Sequence, residues 1–409
     1  MNLFPIFKKF LMSNKNYDVL VLGAGPAGVF ATLELLKRSK NKLRIGLIDM
    51  GKRIENRAPH EVMMGFGGAG TYSDGKLHYT PKLSHERVFH VIDPDKYQTI
   101  LDEIEEIFRN NGVDSKFYPD NMEEINPLIA NCERNNIELV VRKAQHVGTD
   151  KLKQVMEKLE QEILKKKVDL LTEVKIVDII TENGEILGLI DSGENIYKAK
   201  KYLLAPGRVN TRWLQKIGTK HGIKYHYDMV EVGVRVEFPS SIMETYAKAL
   251  YEIVFKVRTR TYDDIIRTFC SCPNGMVAIE NYEDYVCVNG HSNSDHNSKN
   301  SNFAFVCEVN LTEPVENSVA YAESIARLAS TIGGGKPILQ RLEDLKKGRR
   351  STWHRLQKSI VNPSLKEVTP GDIAMALPFR IVTNIKEGLE QLDAVMPGIN
   401  SGSTLLYAV

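Results

Sequence analysis

The sequence has few cysteines, almost no excess of either charge and no long apolar run. Its five cysteines among 409 residues show no repeated spacing, which argues against a disulfide scaffold and for thiols in a reducing compartment. With 54 Lys and Arg against 52 Asp and Glu, the net charge of +2 argues against a protein devoted to nucleic acid or anionic membranes. No run reaches the roughly 18 apolar residues of a membrane-spanning helix. We therefore expect a cytoplasmic protein without a transmembrane segment.

A βαβ pattern opens the regular part of the chain. Residues 17–22 (YDVLVL) form a short apolar run that is typical of a buried parallel strand. The glycine-rich turn GAGPAG follows at 23–28, and a helix is predicted over about 26–39. A second strand over 43–49 ends in the carboxylate of Asp49.

Each glycine of this turn has a separate physical reason. Gly23 permits the tight turn out of the strand, and Gly25 lets the backbone approach a pyrophosphate. Gly28 lets the helix pack closely, so that its N-terminal N–H groups face the phosphates. Asp49 stands where a carboxylate accepts hydrogen bonds from ribose hydroxyls. The pattern predicts a dinucleotide site; the alternative is a glycine-rich turn without a ligand.

A second glycine-rich loop covers residues 65–78 (GFGGAGTYSDGKLH). Dense glycine suits a backbone pressed against a bulky planar ligand such as a flavin ring. We expect contact with the ligand here, although a flexible surface loop is the alternative. The residues that we expect at the ligand are Gly68, Gly70, Thr71, Ser73 and Lys76.

Further segments carry a resemblance to a known family. They are VLGAGPAGVFATLELL, GGAGTYSDGKL, LLAPGRVNTRWL, VGVRVEFP, TFCSCPNGMVAIE and VNGHS. By these segments, residues 17–409 resemble the bacterial FAD-dependent dehydrogenases, a group of uncharacterised FAD-utilising oxidoreductases within the flavoproteins with two dinucleotide-binding domains. The resemblance implies a non-covalent FAD, a small-molecule substrate and NAD(P)H as a candidate electron donor.

The resemblance also implies roles for particular residues. The pyrophosphate would lie against Gly23, Gly25 and Gly28, with Pro26 and Ala27 between them, and the adenosine ribose would contact Asp49. Val174 would contact the adenine through its backbone. Ala205 and Gly207 match a short signature at the exit from the FAD domain, and Arg208 would lie close to the cofactor.

The implied fold is α/β, an FAD/NAD(P)-binding Rossmann-like domain with an inserted, mainly antiparallel α+β substrate domain. Within it we predict helices near 96–110 and 149–167, and a hairpin turn at Asn183-Gly184. The predicted segments are a leader (1–16), an FAD-binding domain (17–229) with a helical excursion (80–165), an inserted substrate domain (230–360) and a return to the FAD-binding domain (361–409).

One departure from the family concerns the C-terminal region. Flavoproteins of this type carry a late strand that ends in Gly-Asp and holds the ribityl chain, but no such strand is recognisable here. Gly371-Asp372 follows Thr369-Pro370 and is predicted to begin a helix. We therefore expect a shortened member that binds FAD weakly. The alternatives are a catalytically impaired remnant or dinucleotide-binding protein, and an NAD-dependent dehydrogenase, which the lack of a second dinucleotide motif disfavours.

No residue is predicted to be catalytic from the sequence. Lys76 and Arg235 are our candidates for electrostatic partners of the reduced flavin. Cys270 and Cys272 are expected to point to opposite faces of a strand and to be structural; a redox pair beside the flavin is the alternative. No set of side chains at ligand spacing predicts a metal, and the sequence does not predict the oligomeric state.

Overall fold

The computed structural model describes residues 16–58, 61–83, 86–292, 298–312 and 317–408. The described chain divides into two compact units. The first comprises the segments up to Ser73 and from Asp150 to His226, and the second comprises 74–149 and the segments from Tyr227 onwards. Both units combine helices and sheets, as the predicted fold class requires. Among the described helices, none is long and apolar enough to cross a membrane.

The first unit is built on a six-stranded sheet. In chain order its strands are β1 (Asn16–Leu22), β2 (Ile45–Ile48), β7 (Asp169–Leu171), β8 (Ile176–Glu182), β9 (Glu185–Asp191) and β10 (Ile196–Leu204). Their spatial order is β7-β2-β1-β10-β9-β8, in which the first four strands are parallel and the last pairings are antiparallel. The hairpin turn between β8 and β9 is confirmed, with positive φ at Asn183 and Gly184.

The described part of this unit contains three α-helices. They are α1 (Pro26–Ser39), α4 (Thr149–Lys165, whose first residue falls in the second unit) and α5 (Thr211–Lys220). Helix α1 buries Val29, Leu33 and Leu36, the apolar stripe that its sequence predicts. Strand β1 and the glycine turn place the N-terminus of α1 at the carboxyl end of β1. Ligands bind at this end of the strands in open parallel sheets.

The second unit is built on an eight-stranded sheet. Its strands are β5 (Ile137–Val140), β11 (Val230–Pro239), β12 (Val254–Arg258), β13 (Ile265–Cys272), β16 (Asn300–Val309), β17 (Ile338–Arg341), β18 (Thr369–Pro370) and β19 (Leu405–Ala408). Their order is β18-β17-β19-β11-β16-β13-β12-β5. The long antiparallel pair of β11 and β16 forms its centre, from Val230 opposite Val309 to Pro239 opposite Asn300.

The described part of the second unit also contains two small sheets and seven α-helices. The small sheets are formed by β3 (Lys76–His78), β6 (Ala144–His146) and β4 (Phe117–Tyr118), and by β14 (Met276–Asn281) and β15 (Val286–His291). The helices are α2 (Pro94–Asn110), α3 (Met122–Arg134), α6 (Glu244–Leu250), α7 (Ser318–Ile332), α8 (Leu342–Lys346), α9 (Trp353–Gln357) and α10 (Phe379–Leu392). Helices α7 and α10 contact the eight-stranded sheet, whose core is apolar.

The division into units differs from the predicted segments in two places. Residues 361–408 lie in the second unit, because β19 is inserted between β11 and β17. Residues 74–149, including α2 and α3, also lie in the second unit, since β5 extends the eight-stranded sheet beside β12. Strand β17 falls within residues 315–348, a segment for which the sequence predicts helices. Gly371-Asp372 directly follows strand β18, contrary to the expectation that no strand precedes it, whereas the predicted helix start is confirmed because Asp372 caps a short 3₁₀ helix, Ile373–Met375.

Candidate functional sites in the two units

The three motif glycines have different surroundings. A Cβ on Gly23 would lie 2.1 Å from the carbonyl oxygen of Ala205, and a Cβ on Gly28 would lie 1.8 Å from the carbonyl oxygen of Gly23. These two glycines are therefore required for the close packing of strand, turn and helix. A Cβ on Gly25 would meet no described atom within 4 Å. The space above Gly25 is open, as the approach of a pyrophosphate requires.

The N-terminus of α1 is available to an anion. Pro26 occupies the first turn, and no side chain in the described chain caps the helix or places an acid there. The first N–H groups of a helix lack partners within it, and their dipoles favour negative charge. With Gly25 open beside them, Ala27 and Gly28 offer N–H groups of the kind that bind phosphate.

Asp49 holds three backbone segments together. Its Oδ2 accepts a hydrogen bond from Ala24 N at 2.8 Å, and its Oδ1 accepts from Gly51 N and Gly65 N, both at 2.8 Å. A carboxylate has about four acceptor positions. The three internal bonds therefore leave Asp49 little more than one position for a ribose hydroxyl. The sequence predicted only a ligand contact for Asp49, but its carboxylate also holds the turn in place.

The second glycine-rich loop is held by Arg57, which the sequence analysis missed. The Arg57 guanidinium is buried and donates to Phe66 O at 2.6 Å, Thr71 Oγ1 at 2.9 Å and Gly68 O at 3.1 Å. Thr71 is itself fully buried, so its hydroxyl is committed inside the loop. An isolated arginine before the loop gave no pattern by which the sequence could have revealed this role.

The loop is packed against the first turn of α1. A Cβ on Gly68 would lie 3.0 Å from the Cα of Gly25, and one on Gly70 would lie 2.8 Å from Cγ of Pro26. The structure thus brings the two predicted glycine-rich segments together within the first unit. Ser73 hydrogen-bonds Gly70 O at 3.4 Å.

A pocket lies beside this turn at the edge of the six-stranded sheet. It encloses about 320 Å³, its open mouth included, and is lined by Leu22, Gly23, Asp49, Met50, Val174, Ile176, Pro206, Asn210 and Trp213. Asp49 and Val174, predicted at the ribose and the adenine, therefore line one pocket. The N–H of Val174 is occupied by Asp49 O at 2.9 Å, so this group is committed inside the protein.

The remaining predicted residues follow β10. Ala205 N donates to Leu22 O at 2.7 Å, which ties the signature to the end of β1. Gly207 has a φ of +71°, a conformation that favours glycine, and Arg208 is exposed. The contact of these residues with FAD stays a prediction.

Lys76 lies in the second unit, in a buried ionic cluster. Its ammonium group lies 2.7 Å from Asp74 Oδ2, 3.3 Å from Glu252 Oε2 and 2.7 Å from Ser271 O. Glu252 also contacts His78 Nε2 at 2.7 Å and Arg142 at 3.1 Å. Burial alone would lower the pKa of Lys76, but the two carboxylates hold it well above its ordinary value. Lys76 is thus paired internally, and its predicted role at the flavin stays a prediction.

A tyrosine, a histidine and a serine are joined near this cluster. Tyr251 Oη lies 2.8 Å from His146 Nε2 and 2.8 Å from Ser292 Oγ, and its ring stacks on the His146 ring at 4.0 Å. Burial, and then the charge of Lys76, lower the pKa of His146 to about 4. His146 is therefore neutral near pH 7, and Tyr251 Oη joins its ring to the Ser292 hydroxyl through two hydrogen bonds. No sequence motif marked His146 or Tyr251, whereas Ser292 ends the segment VNGHS.

Cys270 and Cys272 do not point to opposite faces as expected. Strand β13 has an irregularity between Phe269 and Cys272, and Cys270 has a φ of +48°. This bulge turns both sulfur atoms to the same side of the strand. The two sulfur atoms and a carboxylate oxygen of Asp74 all lie within 4.8 Å of one another. Arg235 donates to Asn302 Oδ1 at 2.7 Å, to Cys270 O at 2.7 Å and to Cys272 Sγ at 3.3 Å. The predicted absence of a metal stays a prediction.

Residues 229–409 match the family model described as "FAD-dependent protein, C-terminal domain-like". This match confirms the resemblance to FAD-utilising oxidoreductases, and it supports FAD as the cofactor.

The individual relatives are only distantly similar to this chain in sequence. An uncharacterised protein of Clostridium beijerinckii is 23% identical over 433 residues, covering 95% of this chain and 70% of its own length. Glycine oxidase of Bacillus cereus aligns with 75% of this chain and 78% of its own at 14% identity and a TM-score of 0.35. Glycerol-3-phosphate dehydrogenase of Bacillus halodurans, solved with FAD, aligns with 77% of this chain and 53% of its own, also at 14% identity, with a TM-score of 0.36.

Proposed function

We propose that this protein is an FAD-dependent oxidoreductase that acts on a small molecule in the reducing environment of the cytoplasm. The observation that carries the proposal is the contrast among the motif glycines: Gly23 and Gly28 are closed by backbone, whereas Gly25 faces open space beside an uncapped helix N-terminus. That arrangement suits a pyrophosphate. When bound, FAD supplies the acceptance and donation of a hydride.

The residues of the first unit would bind and orient the cofactor. The N–H groups at the start of α1 would contact the pyrophosphate, and the last acceptor position of Asp49 would take a ribose hydroxyl. The pocket lined by Val174 and Trp213 would take the adenosine, since its lining combines apolar residues with the polar Asp49 and Asn210. The glycine-rich loop would contribute backbone N–H groups, with Arg57 keeping it rigid.

We also propose a proton-relay role, within the second unit, for the pair of His146 and Tyr251. His146 is neutral near pH 7, and its Nε2 shares a hydrogen bond with Tyr251 Oη, which in turn contacts Ser292. These groups can hold a proton or pass it along a short chain. We propose NAD(P)H as the electron donor, a point that anaerobic reduction by each nicotinamide would test.

The cofactor proposal is tested with two glycine variants. Gly25→Val adds a side chain into open space at a φ of −70°, so its free energy of unfolding should change by less than about 1 kcal/mol. The same side chain would occupy the pyrophosphate position, so the purified variant should lose bound flavin. Flavin per chain, from the visible absorption of the protein, and calorimetric titration with FAD are the measurements.

Gly28→Ala is the matched control. Its Cβ would clash with the Gly23 carbonyl, so this variant should lose stability together with flavin, whereas Gly25→Val should lose flavin alone. If Gly25→Val retains flavin with unchanged affinity, the cofactor does not lie over this turn and the proposal is wrong. A wild-type protein that binds no FAD on titration would contradict the proposal directly.

A further inference from the structure

We propose that Cys270 and Cys272 form a two-electron dithiol centre that reduces small hydroperoxides. In the proposed reaction the two thiols close to a disulfide, and a thiol reductant reopens it. The centre lies wholly within the second unit, at the bulge of β13, and the proposal is independent of the flavin chemistry proposed above.

The first observation is the backbone at Cys270. A non-glycine residue with a φ of +48° is uncommon, and such conformations persist where the surrounding structure holds them, often at functional sites. Here the conformation turns two sulfur atoms to one side of a strand, which a regular strand would not allow. The sulfur atoms lie within 4.8 Å of each other. Formation of the disulfide would bring them to the bonding distance of about 2 Å.

The second observation is that the two thiols have different surroundings. Arg235 is buried and donates to Cys272 Sγ at 3.3 Å, whereas Cys270 Sγ lies 3.1 Å from a carboxylate oxygen of Asp74. The hydrogen bond from Cys270 and the charge of Arg235 lower the pKa of Cys272 against the effect of burial. The bond to Cys272, burial and the charge of Asp74 raise the pKa of Cys270. The donor Arg235 beside Cys272 and the acceptor Asp74 beside Cys270 thus favour Cys272 as the nucleophile and Cys270 as its protonated partner.

The charges around the pair favour this chemistry over a metal. Lys76 lies 2.7 Å from Asp74 Oδ2, and Arg235 lies against Cys272. Two buried cations within contact distance of the ligand atoms oppose a third positive charge. The same cations stabilise a thiolate and the negative charge that develops on a departing oxygen.

The burial of Cys272 limits the oxidant. Its side chain is fully buried while that of Cys270 is half-buried, so a protein disulfide or a bulky aromatic disulfide cannot reach the nucleophile. A small uncharged hydroperoxide fits this restriction. For the same reason we expect slow reaction with a bulky aromatic disulfide reagent and fast reaction with hydrogen peroxide.

In the first step, the Cys272 thiolate attacks the outer oxygen of ROOH. A sulfur–oxygen bond forms and the O–O bond breaks. The released RO⁻ takes a proton from solvent and leaves as ROH. Cys270 then attacks the sulfenic sulfur of Cys272. Its proton passes by way of Asp74 to the departing hydroxide, which leaves as water. Two thiols are oxidised by two electrons to one disulfide, and one hydroperoxide is reduced.

The test uses the full-length protein as purified, with hydrogen peroxide as the probe. After reaction, the remaining thiols are alkylated in denaturant and the digest is analysed by mass spectrometry. We expect the peptide that contains Cys270 and Cys272 to lose two hydrogen atoms, one peroxide to be consumed per chain, and dithiothreitol to reverse the change. Cys307 is the internal control, because burial raises its pKa to about 12, and it should react at least about tenfold more slowly.

Single variants separate the two roles. Cys270→Ser should leave a sulfenic acid on Cys272 that dimedone traps, whereas Cys272→Ser should consume no peroxide. Arg235→Met should move the pH profile of the reaction to higher pH; Arg235→Lys, which keeps the charge, is used if the first variant does not fold. Cys307→Ser should behave as the wild type.

Three results would overturn the proposal. The first is that both thiols remain alkylatable after excess peroxide in a protein whose circular dichroism is native. The second is that dimedone marks Cys270 in place of Cys272. The third is that one equivalent of Zn²⁺ binds tightly and protects both thiols, which would make the pair a metal site.

Discussion

The pH dependence of stability offers a test of the second unit that needs no substrate. Burial and Lys76 lower the pKa of His146 from 6.5 to about 4 in the folded protein. Between these values the unfolded chain binds the proton and the folded chain does not. Stability therefore falls as the pH is lowered from above 6.5 towards 4. At about 1.4 kcal/mol per pKa unit, the part of the free energy of unfolding lost through His146 is about 3 kcal/mol.

The perturbation that isolates this contribution is His146→Gln. Glutamine does not titrate, so the variant lacks the loss due to His146 while it keeps those due to the carboxylates. We expect the stability difference between wild type and variant to shrink by about 3 kcal/mol as the pH falls through this range. Urea unfolding at a series of pH values, with fluorescence as the probe, gives the required free energies.

His226→Gln is the matched control, since His226 is exposed. Its difference from the wild type should change little with pH. A constant difference for His146→Gln across the range would show that His146 is not held neutral. The proposed role of His146 and Tyr251 in proton transfer would then lose its basis.

Two further substitutions, one in each unit, test buried polar groups. Asp49→Asn should cost roughly 2 kcal/mol of stability as well as flavin affinity, because the amide cannot accept all three backbone hydrogen bonds; unchanged unfolding in urea would contradict the observed bonds. Lys76→Met should cost roughly 3 kcal/mol, because it leaves the buried carboxylate of Asp74 without its cation; a loss below about 1 kcal/mol would show that solvent reaches the cluster.

Much of the first unit could be predicted because its signals are local. The strand at 17–22, the glycine turn and the helix from Pro26 follow one another within a short stretch, and each has a recognisable periodicity or residue type. The hairpin at Asn183-Gly184 is equally local, since both turn residues tolerate positive φ. In these places the sequence alone determined the elements and the position of the glycine turn.

Only the tertiary structure decided that the C-terminal region belongs to the second unit. The run LLYA at 405–408 becomes an inner strand of the second unit, where Tyr407 lies opposite both Arg235 and Leu339. Pairings across more than 60 residues leave no local signal, because an apolar tetrapeptide suits many buried environments. The same reason explains why β17 was hidden within a block predicted to be helical.

The side-chain clusters of the second unit were also decided by the tertiary structure. A regular strand would separate Cys270 from Cys272, and one positive φ reverses that expectation. His146 and Tyr251 are brought together from distant segments, and the charge and burial around His146 set its pKa. Residue type and spacing determine a cradle of backbone groups, whereas the ionisation of a buried side chain depends on neighbours that only the folded chain supplies.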